Sequence, residues 1–257
     1  MHVAAVQLNV QWEDKPANFT RVRTLLTEAR VPAGSLIVLP EMFSSGFSLN
    51  VAATRQGNPP EGEQFLASLA EEFQSAVIGG VVGADPGKPT NQAVAVAPDG
   101  SLLARYSKIH PFSFGDETKH YSAGNEIVTF QWGGFTIAPF VCYDLRFPEI
   151  FRAAVDRGAT LFTIIAQWPI RRATHWSVLL QARAIENQAC VIGVNRVGSD
   201  PTLVYPGKSA IVDALGTRVA EGDDQERVLQ GDLDPAAVAQ WRADFPALKD
   251  RHWKERG

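Results

Sequence analysis

An α/β fold with mixed sheets covered by helices is what this chain predicts, and three observations carry the prediction. Apolar strand-like runs alternate with helical periodicity along the 257 residues. Three pairs of strand-like runs flank short turn sequences, the mark of antiparallel hairpins. No linker, internal repeat or low-complexity tract divides the chain, so a single domain over residues 1–257 is expected. A purely parallel doubly wound sheet has no use for three hairpins, which favours mixed sheets.

Each element has its local reason. Residues 2–9 form a short apolar run suited to a central strand. Residues 14–30 place Phe19, Val22, Leu25, Leu26 and Ala29 at helical spacing, with Asp14 and Pro16 as the helix entry. Residues 35–39 read as a strand stopped by Pro40, 62–73 as a helix and 76–82 as a strand. The hairpins are 92–97 with 102–107, 127–132 with 136–141, and 209–213 with 218–220, turning at residues 98–101, 133–134 and 215–216. Helix 149–157 leads to strand 161–166. Helix 175–188, with Leu179, Leu180, Ala182 and Ile185 facing inward, leads to strand 190–195. Residues 227–233 close as a strand and 235–245 as a helix. Residues 113–126 are polar and without period; a loop of that length in a compact domain is often functional.

Bulk properties exclude several classes. Hydrophobic residues make up 45% and charged residues 20%, so a core needs no disulfide support. The net charge of -4 is spread without blocks, which argues against nucleic acid or an anionic membrane as partner. The two cysteines, Cys142 and Cys190, show no framework spacing; free thiols in a reducing cytoplasm are expected. Residues 1–10 read as a strand rather than a signal peptide, and no run approaches the roughly 20 apolar residues that span a bilayer. The histidines lack metal-ligand spacing and the carboxylates lack a calcium-loop pattern. Gly207-Lys208-Ser209 has Thr202 where a phosphate-binding loop would start with glycine. No metal and no cofactor are expected.

Three islands carry chemistry. Cys142 ends an apolar run and is followed by Tyr143-Asp144-Leu145-Arg146-Phe147-Pro148-Glu149. An isolated cysteine is most often a small buried hydrophobe, as expected for Cys190. A thiol on a strand-to-helix turn is instead aimed outward, with its thiolate favoured by free N–H groups and the helix dipole. Glu41 ends the run Leu36–Leu39, where a buried carboxylate is unfavourable unless paired. Lys108 follows a strand; near a reacting carbonyl it would stabilise an oxyanion as a point charge. None of the five histidines sits in a papain-like context.

Together the islands Leu39-Pro40-Glu41, Lys108-Ile109-His110 and Cys142 to Pro148 resemble those of the nitrilase superfamily, the carbon–nitrogen hydrolases. The resemblance extends over almost the whole chain, including 175–188 and 205–216. It implies a four-layer α-β-β-α sandwich, and a homodimer paired across helices such as 149–157 and 175–188. It implies Glu41 as general base, Lys108 as oxyanion stabiliser, Cys142 as nucleophile and the Tyr143 backbone N–H as second oxyanion donor. Glu117, seven residues before Gly124, stands where many members have a second glutamate that orients the lysine and the substrate.

The chain is most similar to omega-amidase-type members, through Glu41-Met42-Phe43 with Gly46-Phe47, Phe112-Ser113-Phe114, Tyr121 to Asn125, and Ala166 to Pro169. Gln167 stands where such members often have Asn. The implied substrate is a small dicarboxylate monoamide, such as 2-oxoglutaramate or succinamate. Its far carboxylate needs a cation, with Arg171, Arg172 and Lys119 as candidates and Phe43, Phe114 and Trp168 as walls. Alternatives are an N-carbamoyl compound, deaminated glutathione, a nitrile, or a catalytically silent scaffold. Arg183 and Glu186 are expected to pair on one helix face, His175-Trp176 to pack at a helix start, and Arg146 to brace the Cys142 turn through Asp144 or Glu149. Lys108→Ala is expected to harm rate far more than folding.

Overall fold

The computed structural model describes residues 1–83 and 87–252. The first half runs β1 (His2–Gln7), α1 (Lys15–Glu28), β2 (Leu36–Val38), α2 (Val51–Thr54), α3 (Glu61–Glu72), β3 (Ala76–Val82), β4 (Asn91–Val96), β5 (Leu102–Ser107), α4 (Glu117–His120), β6 (Phe130–Trp132) and β7 (Phe135–Val141). The second half runs α5 (Pro148–Asp156), β8 (Leu161–Ala166), α6 (Ala173–Asn187), β9 (Cys190–Asn195), β10 (Val197–Ser199), β11 (Val204–Pro206), β12 (Ala210–Val212), β13 (Arg218–Glu221), β14 (Arg227–Asp232) and α7 (Pro235–Asp244).

Two six-stranded mixed sheets result, ordered β14-β1-β2-β3-β4-β5 and β13-β12-β9-β8-β7-β6. β1, β2 and β3 pair in parallel, as do β7, β8 and β9; the three expected hairpins form, and β14 adds an antiparallel edge beside β1. Strand period decides the layers. In β1, Val3 and Ala5 face the inter-sheet core, whereas Ala4 and Val6 face α1 and α3. Phe19, Val22, Leu25 and Leu26 of α1 pack there with Phe65, Leu66 and Leu69 of α3. Phe151 and Ala154 of α5, with Trp176, Leu180 and Ala184 of α6, cover the other sheet. The result is the α-β-β-α sandwich.

Entry to α1 is as expected: the Asp14 carboxylate accepts the Ala17 N–H at 3.0 Å and Pro16 opens the first turn. The inward face of α6 is so only in part, since Leu180 is buried and Leu179 packs on the core but Ile185 does not. Trp176, Leu180, Arg183, Ala184 and Asn187 are buried, and Ile185 is 54% exposed. The helix is turned so that Arg183 reaches across to the Cys142 turn, and its apolar period follows Trp176. His175 is exposed, and only its neighbour packs. The short hairpin β10–β11 and the single turn of α2 are additions that three- and four-residue elements do not announce in sequence. No helix among the described residues is long and apolar enough to cross a membrane.

Candidate active site

Glu41 lies three residues beyond β2, in a turn where Met42 takes a positive φ of 44°. Gly80 in β3 makes room for that turn. A Cβ on Gly80 would lie 2.4 Å from the Met42 nitrogen and 2.5 Å from the Glu41 Cα. The Glu41 side chain is fully buried and hydrogen-bonded through both oxygens. Its Oε1 accepts from Lys108 Nζ at 2.9 Å and Asn91 Nδ2 at 2.7 Å, and its Oε2 from the Gln167 N–H at 2.9 Å. Gln167, at the end of β8, also donates through Nε2 to the Glu41 carbonyl at 2.7 Å. Its Oε1 accepts the Phe47 N–H at 3.0 Å and faces Arg196 Nη1 at 3.4 Å.

Lys108 follows β5 directly. Its N–H donates to the Asn91 carbonyl at 2.9 Å, and its own carbonyl accepts the Gly124 N–H at 2.8 Å. Gly124 must be glycine for this approach, since a Cβ would lie 2.2 Å from the Ser107 carbonyl oxygen. The ammonium is 1% exposed and meets Glu117 Oε2 at 2.8 Å and Oε1 at 3.1 Å besides Glu41. Burial alone would lower the Lys108 pKa; Glu117, Glu41 and the Cys142 sulfur outweigh it and raise it far above the ordinary range. Glu117, fully buried at the start of α4, also accepts the Phe112 N–H at 2.6 Å.

Cys142 begins a five-residue 3₁₀ segment, Cys142–Arg146, with φ at 47°. The α-helix starts only at Pro148, so the expected helix N-terminus is not at the sulfur. The electrostatics correct the expectation of a favoured thiolate. Burial pushes the Cys142 thiol well above its ordinary range, and Glu41 adds to this, while Lys108 and the Gln167 N–H oppose. Burial sets the sign, and the two carboxylates, Glu41 and Glu117, keep the one ammonium from reversing it.

Asp144 braces this turn. It accepts from the Val141 N–H at 3.1 Å, the Tyr106 hydroxyl at 2.8 Å and the His110 N–H at 3.0 Å, with the His110 ring at 2.9 Å. One buried carboxylate thus ties the segment after Lys108 to the segment of Cys142. Arg146 was expected in this role but takes no part. Its guanidinium lies over Trp168 at 4.7 Å and Tyr143 at 5.9 Å, facing the cleft. Arg183 makes the expected contact with Glu186 at 2.9 Å and also donates to the Leu145 carbonyl at 2.7 Å, so α6 holds the turn from behind.

Glu41, Lys108, Cys142 and Tyr143 line one cleft of about 510 Å³. Of the expected walls and cations, Trp168 and Arg172 line it. The others do not. Phe43 is buried between α1 and α3 against Phe19 and Phe65, because the turn at 41–45 points it back into the core. Phe114 is 88% exposed. Arg171 is exposed outside the cleft, and Lys119 is paired with Asp116 at the surface. Phe47 and Phe112 take the aromatic places, and Arg146 joins Arg172 as a cleft-facing cation. Burial and the Arg172 charge lower the Arg146 pKa. Neither guanidinium has an ion pair among the described residues. The β10–β11 hairpin adds Leu203 and Tyr205 to the wall. Asn91 carried no signal beyond standing at the start of a strand. Among the described residues no cluster of three or more His, Cys, Asp or Glu could hold a metal ion.

A family model described as carbon-nitrogen hydrolase matches residues 2–243. The chain belongs to this family, within the nitrilase superfamily, and is therefore an enzyme that hydrolyses carbon–nitrogen bonds other than peptide bonds. It is 36% identical to "Omega-amidase YafV" of Escherichia coli (strain K12) over 252 residues, 97% of this chain and 96% of that protein. It is 30% identical to "2-oxoglutaramate amidase" of Bacillus subtilis (strain 168), covering 96% of each chain. Among solved structures, XC1258 from Xanthomonas campestris, a CN-hydrolase superfamily protein with an arsenic adduct in its active site, matches with a TM-score of 0.93 and 36% identity, covering 100% of this chain and 99% of that one.

Proposed function

We propose that this chain cleaves the terminal amide of a small carboxylate-bearing amide, of the 2-oxoglutaramate or succinamate kind, releasing acid and ammonia through a thioester on Cys142. The observation that carries the reading is the meeting of Glu41, Lys108 and Cys142 in one cleft that Arg146 and Arg172 also line, neither with an ion pair among the described residues. Two uncompensated guanidiniums are a place for a carboxylate, the group that distinguishes such substrates from simple amides. The names of the relatives support the same class.

The thiol rests protonated, so attack needs a base at the moment of reaction. Glu41 takes the Sγ proton as the sulfur forms its bond to the amide carbon. The carbonyl electron pair moves onto oxygen, held by Lys108 and the Tyr143 N–H. Lys108 starts with its donors on carboxylate oxygens. Protonation of Glu41 weakens its hold and frees an N–H for the oxyanion, so the donor arrives when the charge develops. Collapse breaks the C–N bond as Glu41 returns the proton to the leaving nitrogen. Water, deprotonated by Glu41, then attacks the thioester carbon; the C–S bond breaks, the acid leaves, and Glu41 returns the proton to the Cys142 sulfur. Glu117 keeps Lys108 in place throughout.

Ammonia release from a panel of ω-amides, simple amides, nitriles and carbamoyl compounds tests the reading. Succinamate and 2-oxoglutaramate are expected to turn over fastest. Cys142→Ala is expected to fold and release no ammonia; an active variant would remove Cys142 as nucleophile. Preference for uncharged amides would remove the carboxylate.

Three smaller readings accompany this one. The continuous core between the sheets supports one domain. Free Cys142 and Cys190 are consistent with a reducing cytoplasm. Val178 and Ile185 of α6, 57% and 54% exposed, support a second copy packed across that helix, and a monomer in sedimentation would remove it.

A further inference from the structure

We infer that Asn91 is a positioning residue for the proposed reaction: it fills one oxygen of Glu41, so that the Cys142 proton must go to the other, and it ties Glu41 to Glu117 beside Lys108. The inference rests on the reading that Glu41 is the base and Cys142 the nucleophile.

Asn91 opens β4 and is 1% exposed. Its Nδ2 donates to Glu41 Oε1 at 2.7 Å and to Glu117 Oε1 at 2.9 Å. Lys108 Nζ reaches the same two oxygens, at 2.9 and 3.1 Å. The four atoms close a ring in which donors and acceptors alternate. The backbone of Asn91 joins the same unit, since its carbonyl accepts the Lys108 N–H at 2.9 Å. One residue thus fixes the lysine's main chain and both carboxylates that its ammonium meets.

A carboxylate oxygen has two acceptor sites. Oε1 of Glu41 has both filled, by Asn91 and Lys108. Among the described residues Oε2 accepts only the Gln167 N–H, at 2.9 Å, and keeps one site open. The Sγ–H bond therefore breaks toward Oε2. The proton stays there until the departing nitrogen takes it, because Asn91 still holds Oε1 when Lys108 turns to the oxyanion. The amide cannot be reversed, since Oδ1 would then face two carboxylate oxygens. In the present orientation Oδ1 is buried and has no donor among the described residues. An unmet buried acceptor is unfavourable, so the needs of Asn91 itself do not explain its placement; the two carboxylates do.

The ionisable groups around Asn91 are Glu41, Lys108 and Glu117, with Cys142 beyond them and the Tyr121 hydroxyl engaged by Thr54 and the Ser48 carbonyl. The test compares pH profiles of kcat and KM for wild type, Asn91→Ala and Asn91→Asp, with thermal melting to count folded molecules. Asn91→Ala is expected to lower kcat by about 10- to 100-fold with KM within about twofold, the pattern of lost alignment. Asn91→Asp is expected to be equally poor at neutral pH. Its activity relative to wild type should rise as the pH falls, because the introduced acid gains a proton and becomes a donor. The Asn91→Ala ratio should stay flat.

Unchanged kcat per folded molecule, or two variants that fall together at every pH, would reduce Asn91 to packing. If Asn91→Ala does not fold, Asn91→Ser, which keeps one donor, takes its place; failure of all three to fold also overturns the inference. The reading beneath it fails separately, when wild type hydrolyses no amide in the panel. In that case alkylation of Cys142 by iodoacetamide, which draws on the same base, still reports on Asn91, and equal rates in wild type and Asn91→Ala sink the idea.

Discussion

Lys108 has two tasks that pull against each other. In the proposed reaction it gives a donor to a transient oxyanion, yet at rest it is what keeps Glu41 and Glu117 from facing each other unpaired in the interior. Its chemistry was legible from the strand end and the following Ile109-His110. Its structural duty was not, because both carboxylates come from other parts of the chain. Lys108→Ala, expected from sequence to harm rate far more than folding, should therefore harm folding as well. Removing one member of a buried charged cluster typically costs about 3–5 kcal/mol, because the partners stay buried. Loss of an oxyanion donor costs about 2.7–4 kcal/mol in transition-state stabilisation. Lys108→Ala should lose both, read as a lowered urea midpoint and a kcat reduced per folded molecule; a wild-type midpoint would contradict the structural half.

Elements place these side chains by close approach. The Glu41 turn lies on Gly80 of β3, where a Cβ would come 2.4 Å from backbone. Gly80→Ala should therefore push the turn away from Gln167 and Lys108. Overpacking of this kind costs about 1–3 kcal/mol, and activity should fall further than stability because Glu41 moves with the turn. Thermal melting beside steady-state rates checks this, and a fully active variant would mean that the turn relaxes without moving the carboxylate. Sequence periodicity placed the strands and hairpins well because it is a local property. It misjudged α6, where Arg183 turns inward to hold the Leu145 carbonyl while Ile185 stays in solvent. It also missed β10–β11, too short to show a period, although that hairpin forms part of the cleft wall.

Across the whole molecule, burial leaves several acidic groups holding their protons longer than they would in an unfolded chain. Cys190 is pushed up to about 12, as is Tyr121, and burial raises Cys142, Tyr106 and Tyr205 as well. A group raised on folding contributes stability that is present below its unfolded pKa and lost as the pH climbs toward the folded value. The unfolded thiols release protons near 9.0 and the phenols near 10.0. Stability should therefore decline between about pH 9 and pH 12, as the unfolded chain deprotonates first. Urea midpoints measured across that window test this, and Cys190→Ala should flatten part of the slope at the alkaline end. A midpoint independent of pH would show that these groups are not protected by the fold.

From the chain alone came the kinds of element, their order, and the three reactive groups with the family they resemble, since these rest on residue spacing and on chemistry written into short motifs. The three-dimensional structure decided which side chains meet. Phe47 and Phe112 rather than Phe43 and Phe114 face the cleft, Arg146 joins Arg172 there, and Asn91 links two glutamates. The physical reason is distance along the chain: Glu41 meets Asn91 across 50 residues, Lys108 across 67 and Gln167 across 126. No local pattern encodes contacts of that range; they exist only once the two sheets have closed on each other.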